Sequence, residues 1–207
     1  RLAAGLVQKV RTTWRQRRGE DPGNNASLHL QPLYNGTINL MLTCEYVLPV
    51  ALSLERYGKT PVQVLADAGI LEQPVILAHC LYPSDDDLDL LAGREAGIAQ
   101  APKTYLAMAM GLADLPKYLE KGIALGLATD GAVSSCTLDL FEQMRLTALT
   151  QKNKAMDAEV LPVETVLDIA FQGGARVVRQ PELGNLKPGN LADVVLLRQD
   201  RPAAQPV

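Results

Sequence analysis

Ile123-Ala-Leu-Gly-Leu-Ala-Thr-Asp-Gly-Ala-Val-Ser-Ser135 is an apolar run that passes directly into a Thr-Asp-Gly turn, with helix-compatible residues beyond it. A short apolar run bounded by glycine is the signature of a buried parallel strand. Asp130 then sits at the strand's carboxyl end, the edge where α/β folds carry out chemistry. A carboxylate there needs a cation or a donor beside it, because burying an unpaired charge is costly. An Asp capping the following helix accounts for the same residues, since Asp-Gly is also an ordinary turn.

Two neighbouring runs end in the same manner. Pro74-Val-Ile-Leu-Ala-His79 closes on a histidine, and Gly97-Ile-Ala-Gln-Ala-Pro102 closes near Gln100. Helical segments separate them. Ser84 is placed to cap a helix over Asp85 to Glu95, with three aspartates where the helix dipole favours them. Asp114 is placed to cap a second, with Pro116 in its first turn and Gly122 as its stop. Strand and helix alternating in units of about 25 residues predict βαβ crossovers and a parallel sheet. His79, Gln100 and Asp130 are then expected on one rim.

The chain has 207 residues and a net charge of -3, with 21% charged residues. That balance gives no support to nucleic acid as the principal partner. No apolar run reaches the length of a membrane span, so no membrane partner is expected. Cys44, Cys80 and Cys136 are odd in number and widely spaced, as reduced thiols in a cytoplasmic protein are.

Elsewhere, residues 2–18 have a helical pattern whose basic end is expected to be solvated, and residues 19–25 form a loop by composition. Residues 26–54 are irregular: Ser27-Leu-His-Leu-Gln31 alternates like a strand and carries His29, but the stretch to Leu54 has no steady period. Thr60-Pro61 is an N-cap followed by Pro at the first helical position, and Gly69 ends that helix. Thr137 to Gln151 reads as an amphipathic helix burying Leu138, Phe141, Met144 and Ala148. Pro162 to Gln172 reads as a further helix stopped by Gly173-Gly174. From Glu182 on, turn residues lead into one β-rich strand ending at Leu197, the start of a separate β element.

Glu55-Arg-Tyr-Gly-Lys-Thr-Pro61, Ile76-Leu-Ala-His-Cys80, Pro102-Lys-Thr-Tyr105 and Leu127-Ala-Thr-Asp-Gly-Ala-Val-Ser134 occur in this order, followed by Leu138-Asp-Leu-Phe-Glu-Gln-Met-Arg-Leu146 and Leu183-Gly-Asn-Leu-Lys-Pro-Gly-Asn-Leu-Ala-Asp-Val-Val195. Over residues 55–199 the sequence resembles the metal-dependent amidohydrolase superfamily, in its cytosine-deaminase-like and chlorohydrolase-like branch. The resemblance implies an α/β chain: the C-terminal half of a (β/α)8 barrel over residues 1–180, then the start of a small β-sandwich over residues 181–207. It also implies hydrolysis of a C–N bond in a purine-, pyrimidine- or triazine-like small molecule, through a water activated by Zn2+ or Fe2+. On that basis Asp130 matches the carboxylate that ligates the metal and takes a proton from the water. His79 matches the histidine that orients the leaving-group side, and His29 is the candidate for the fifth-strand metal ligand. The alternative match for His29 is a substrate-contacting histidine further upstream in the family; its distance to Glu55 is longer than the first alignment allows and shorter than the second. A homo-oligomer is consistent with the resemblance.

Three departures stand beside the resemblance. The chain has two histidines, so the family's His-x-His pair is absent. Pro32 stands three residues after His29, where the family carries Glu, and Gln100 stands where many relatives carry His. A complete barrel takes about 250 residues, so an incomplete or non-catalytic member is the alternative expectation.

Overall fold

The structure, a computed structural model, describes residues 47–197 and the two strands 29–32 and 38–41, with side chains described from residue 50 on. Five strands form one sheet: β1 (His29–Pro32), β2 (Ile38–Met41), β3 (Val75–Ala78), β4 (Ala96–Gln100) and β5 (Ala124–Leu127), hydrogen-bonded in that order. β2 to β5 are parallel; the alternation of strand and helix predicts this for β3 to β5, while β2 lies in the stretch without a steady period. β1 pairs antiparallel with β2, with His29 opposite Met41. The fold is α/β with a mainly parallel sheet. The expected residues 2–18 helix and the 19–25 loop lie outside the described residues.

The helices that pack on the sheet begin where the sequence chemistry places them. α1 (Val47–Tyr57) contains Pro49, but within the first turn, where a backbone N–H has no intrahelical partner to lose. α2 (Pro61–Asp67) is held by a capping box of Thr60 and Gln63, and the chain leaves it at Gly69 with φ +70°. α3 (Asp85–Leu91) has the equivalent box of Ser84 and Asp87, and it ends at Leu91 rather than reaching Glu95. α4 (Pro102–Ala107) and α5 (Leu115–Glu120) follow β4. Beyond β5 come α6 (Ala132–Ser135), α7 (Leu140–Ala155), α8 (Val163–Asp168), a π-helical turn (Ile169–Gly173) and α9 (Gly174–Val178). Val75, Leu77, Ile98 and Leu125 from the strands meet Leu65, Leu88, Tyr105, Tyr118 and Ile169 from the helices in one buried core. No helix among the described residues is long and apolar enough to cross a membrane.

α7 corrects the expected apolar stripe. Leu138 and Phe141 are exposed, and the buried face is Gln143, Met144, Thr147 and Gln151, with Ala148 partly buried against the core. The reason lies in the neighbouring helices. α4 and α5 start with backbone N–H groups that have no partner of their own. Gln143 Oε1 accepts from Lys103 N at 3.0 Å, and Gln151 Oε1 accepts from Leu115 N at 3.1 Å. Gln151 Nε2 also donates to the Ala113 carbonyl at 3.0 Å. Asp114 occupies the N-cap position of α5, yet its side chain makes no cap bond. A glutamine from another helix performs that role.

Gly173-Gly174 also departs from expectation, since it does not stop the helix. The chain runs helically through both glycines, from α8 into α9. The glycines instead allow close approach: a Cβ on Gly173 would lie 2.2 Å from the Leu125 carbonyl oxygen, and one on Gly126 would lie 3.1 Å from Gly174 Cα. Residues 191–197 take no part in a strand, although Leu191 N–H reaches back to the Glu182 carbonyl at 3.0 Å.

Candidate functional site

The parallel register carries the carboxyl ends of β3, β4 and β5 to one rim, and the ladder continues past the strands. His79 N–H donates to the Ala99 carbonyl at 2.9 Å, and Ala128 N–H donates to the Gln100 carbonyl at 2.8 Å. His79, Gln100 and Asp130 therefore lie on the same edge, as the strand-end pattern predicts. His29 reaches this edge only because β1 is reversed, which puts its first residue opposite the last of β2. From β1 to β5 is four strand spacings of about 4.8 Å, on the order of 19 Å along the sheet. The side chain of His29 lies outside the described residues.

The backbone is strained at this rim. His79 has φ +68° and Asp130 φ +59°, in the left-handed region that residues with a Cβ avoid. Cys80 N–H donates to the Ala78 carbonyl at 2.9 Å, closing a three-residue turn around His79. Such conformations cost about 1–3 kcal/mol each and persist only where surrounding contacts enforce them. Those contacts are identifiable. Gln100 Nε2 donates to the His79 carbonyl at 2.5 Å, and Tyr118 Oη donates to the Cys80 carbonyl at 2.6 Å. Tyr105 Oη lies 3.2 Å from His79 Nδ1, with the two rings edge to face at 5.5 Å between centroids. His79, Gln100 and Tyr105 are all buried.

Asp130 is exposed, and its Oδ1 accepts from Gly131 N–H at 2.6 Å. It does not cap α6, whose N-cap is Gly131 with no side-chain bond. Beside α7, Lys103 Nζ pairs with Glu142 Oε2 at 2.6 Å, and Thr137 Oγ1 donates to the same oxygen at 2.8 Å. The hydrogen bond from Lys103, then that from Thr137, holds the Glu142 carboxyl below its ordinary range.

Cys80, next to His79, is part of the buried core. It is fully buried, and burial, with the Asp87 charge as a smaller cause, pushes its thiol up to about 12. An unfolded thiol loses its proton near pH 8.5. Stability from Cys80 is therefore complete below about pH 8.5 and declines above it, by about 1.4 kcal/mol per pH unit until about pH 12. Urea unfolding of the wild type and Cys80→Ala at several alkaline pH values is expected to show this extra slope in the wild type alone. Parallel pH curves for the two proteins would contradict it.

Tyr105 is the site residue that periodicity does not single out. Its spacing is the available signal: four residues after Ala101, it turns back over the end of β4, and its Oη accepts from Ala101 N–H at 2.7 Å. Gln143, which holds the start of the same helix, falls on a face that hydropathy assigns to apolar residues.

The profile of the Amidohydrolase family matches residues 50–206. The chain belongs to the amidohydrolase family. It is 40% identical over 143 residues to a protein from Halothermothrix orenii named 5-methylthioadenosine/S-adenosylhomocysteine deaminase, covering 69% of this chain and 33% of that one. A protein of the same name from Nitratidesulfovibrio vulgaris is 32% identical over 218 residues, covering 98% of this chain and 49% of that one. Among solved structures, an adenosine deaminase from Xanthomonas campestris with bound zinc superposes with a TM-score of 0.75 at 29% identity, over 82% of this chain and 38% of that one. The chain thus spans a third to a half of the length of these amidohydrolases.

Zinc in such a site takes three or four protein ligands. Among the described residues no three His, Cys, Asp or Glu side chains gather in a way that could hold a metal ion. His79 and Asp130 are separated by β4. The described residues alone do not fit a metal centre.

Proposed function

We propose that this chain forms the C-terminal half of a (β/α)8 amidohydrolase barrel over residues 1–180, with residues 181–207 beginning a β-sandwich, and that its rim serves hydrolysis of a C–N bond in an aminopurine-like small molecule. The observation that carries the reading is the strained His79 turn, clamped by Gln100 and Tyr105 on the same carboxyl rim as Asp130. Strain maintained by buried contacts at strand ends is a feature of sites that hold a group for a ligand. In this reading Asp130 takes one proton from the attacking water as its oxygen adds to the ring carbon and passes that proton to the exocyclic amino nitrogen; the C–N bond breaks, ammonia leaves, and the ring keeps the oxygen as a carbonyl with the second water proton on a ring nitrogen. His79 orients the ring from the side of β3. By the resemblance His29 and Asp130 would be this chain's donors to a Zn2+ or Fe2+ ion, which would activate the water; the remaining ligands are not supplied by the described residues. Free thiols at Cys80 and Cys136 support a cytoplasmic setting.

The experiment is ammonia release from 5-methylthioadenosine and from adenosine by the wild-type chain and by Asp130→Asn. A loss of about 100-fold or more in the variant is expected from removing the proton acceptor. Equal rates in the two proteins would contradict the role of Asp130. A second reading, a non-catalytic member that keeps the rim without the metal ligands, is favoured by the presence of two histidines in the whole chain. Absence of ammonia release from the wild type supplied with zinc would favour that reading.

A further inference from the structure

We propose that Lys103 is a positioning residue for Asp130: acting through Thr137, it holds the exposed turn after β5 on which Asp130 stands. This rests on the reading that Asp130 takes the proton of the attacking water, and it adds what keeps that carboxylate in place.

From Asp130 to Asp139 every residue is exposed except Ser134, which is half-buried, and Ser135, which is buried. A segment with so little apolar burial is among the first to open locally, so its polar ties decide how well it is ordered. Those ties close it into one unit. The N–H groups of Ser134 and Ser135 both donate to the Gly131 carbonyl, at 3.1 and 3.0 Å. Ser135 Oγ donates to the Thr137 carbonyl at 2.6 Å, and Gly131 N–H donates to Asp130 Oδ1 at 2.6 Å. The Asp130 side chain is therefore fastened to a unit that ends at Thr137. Whatever holds Thr137 holds Asp130.

Thr137 is held from outside that unit. Its hydroxyl proton goes to Glu142 Oε2 at 2.8 Å, and the oxygen remains free to accept from Lys103 Nζ at 3.1 Å. Lys103 Nζ also donates to Glu142 Oε2 at 2.6 Å, so the three groups close a triangle. Thr137 and Glu142 are near neighbours in the chain, and their contact alone ties the turn only to the start of α7. Lys103 is the second residue of α4, just past the carboxyl end of β4, and α6 packs beside that helix. The ammonium thus spans from the β4 end of the rim to the turn that follows β5. The Lys103 side chain is 20% exposed and that of Glu142 35%, so water weakens the pair without dissolving it.

The test uses the 207-residue chain labelled with 15N, with no substrate present. Lys103→Met keeps the aliphatic stem and removes the charge, whereas Lys103→Arg keeps a donor that reaches the same two oxygens. The reporter is the Gly131 amide proton, which a carboxylate acceptor draws downfield. It is expected to move upfield in Lys103→Met and to hold its wild-type position in Lys103→Arg. Exchange of the Ser134 and Ser135 amides is expected to quicken about tenfold in Lys103→Met, the scale of one hydrogen bond to a charged, partly exposed group. Ala128 N–H, bonded to the Gln100 carbonyl at the foot of the turn, is expected to exchange at the wild-type rate. Equal acceleration at Ala128 would mean a role in the fold at large and overturns the proposal. So does an unmoved Gly131 signal, or a Lys103→Arg chain that behaves as Lys103→Met. If Lys103→Met does not fold, Thr137→Val decides by the same signals, because it cuts the link and leaves the Lys103–Glu142 pair in place. The signals are read without turnover, so a failure of the hydrolase reading leaves them unaffected and the two are told apart.

Discussion

Gly173→Ala is expected to destabilise the fold by more than about 3 kcal/mol, at or beyond the upper end of overpacking effects. The new methyl would lie 2.2 Å from the Leu125 carbonyl oxygen and 3.1 Å from the Asp168 carbonyl. Both obstacles are backbone, so no side-chain rotation relieves them. Leu125 is in the middle of β5, the strand that leads to Asp130. Relief therefore requires either that the π-helical turn lifts off the sheet or that β5 shifts, and either exposes Ile169, which is fully buried. Gly174→Ala is the matched control. Its Cβ meets nothing within 4 Å, and its φ of -56° is helical. Alanine there is expected to stabilise by about 0.5–1 kcal/mol, the helix preference of Ala over Gly. Urea unfolding of the pair gives opposite signs one residue apart. Two similar midpoints would mean that the helix does not rest on β5 as described.

That contrast also shows what the sequence could and could not reveal. Strand ends were legible: an apolar run closing on His79, and another closing on Thr129-Asp130, are local patterns, and the parallel register aligns them on one rim. The caps at Thr60 and Ser84 were legible for the same reason, since each box is closed within four residues. Gly173-Gly174 was not, because a glycine that ends a helix and a glycine that lets a helix touch a strand look alike in sequence. Nor was the polar face of α7. Hydropathy asks which side chains avoid water, whereas Gln143 and Gln151 are buried because two other helices begin against them. His29 reaches the rim only through the reversal of β1, a tertiary fact that the irregular residues 26–54 do not encode locally. Tyr105 was visible as part of a motif, but its role depends on a histidine 26 positions away.

Asp87→Ala carries the other large expected effect, roughly 1.5–5 kcal/mol. Asp87 is buried, and each carboxylate oxygen serves a different helix. Oδ2 accepts from Ser84 N–H at 2.9 Å, closing the capping box of α3, and Oδ1 accepts from Thr60 Oγ1 at 2.5 Å. Thr60 in turn accepts from Gln63 N–H and caps α2. One side chain therefore joins the starts of two helices that lie on either side of β3 in the chain. Removing it leaves the buried Thr60 hydroxyl without an acceptor, at about 1–3 kcal/mol, and opens the capping box at the exposed Ser84, at about 0.5–2 kcal/mol. The relief of no longer burying a carboxylate offsets part of this, which is why the range begins low. Asp87→Asn separates the contributions. Its single carbonyl oxygen can serve Ser84 or Thr60 but not both, so its loss should be about half that of alanine. A double-mutant cycle of Asp87→Ala with Thr60→Val is expected to show coupling of at least 1 kcal/mol, as contacting hydrogen-bonded partners do. Additive losses would mean that the two helix starts are held independently. The consequence for the site follows from connectivity, because α2 and α3 flank the strand that ends in His79, and β3 keeps its place on the rim only while both helices keep theirs.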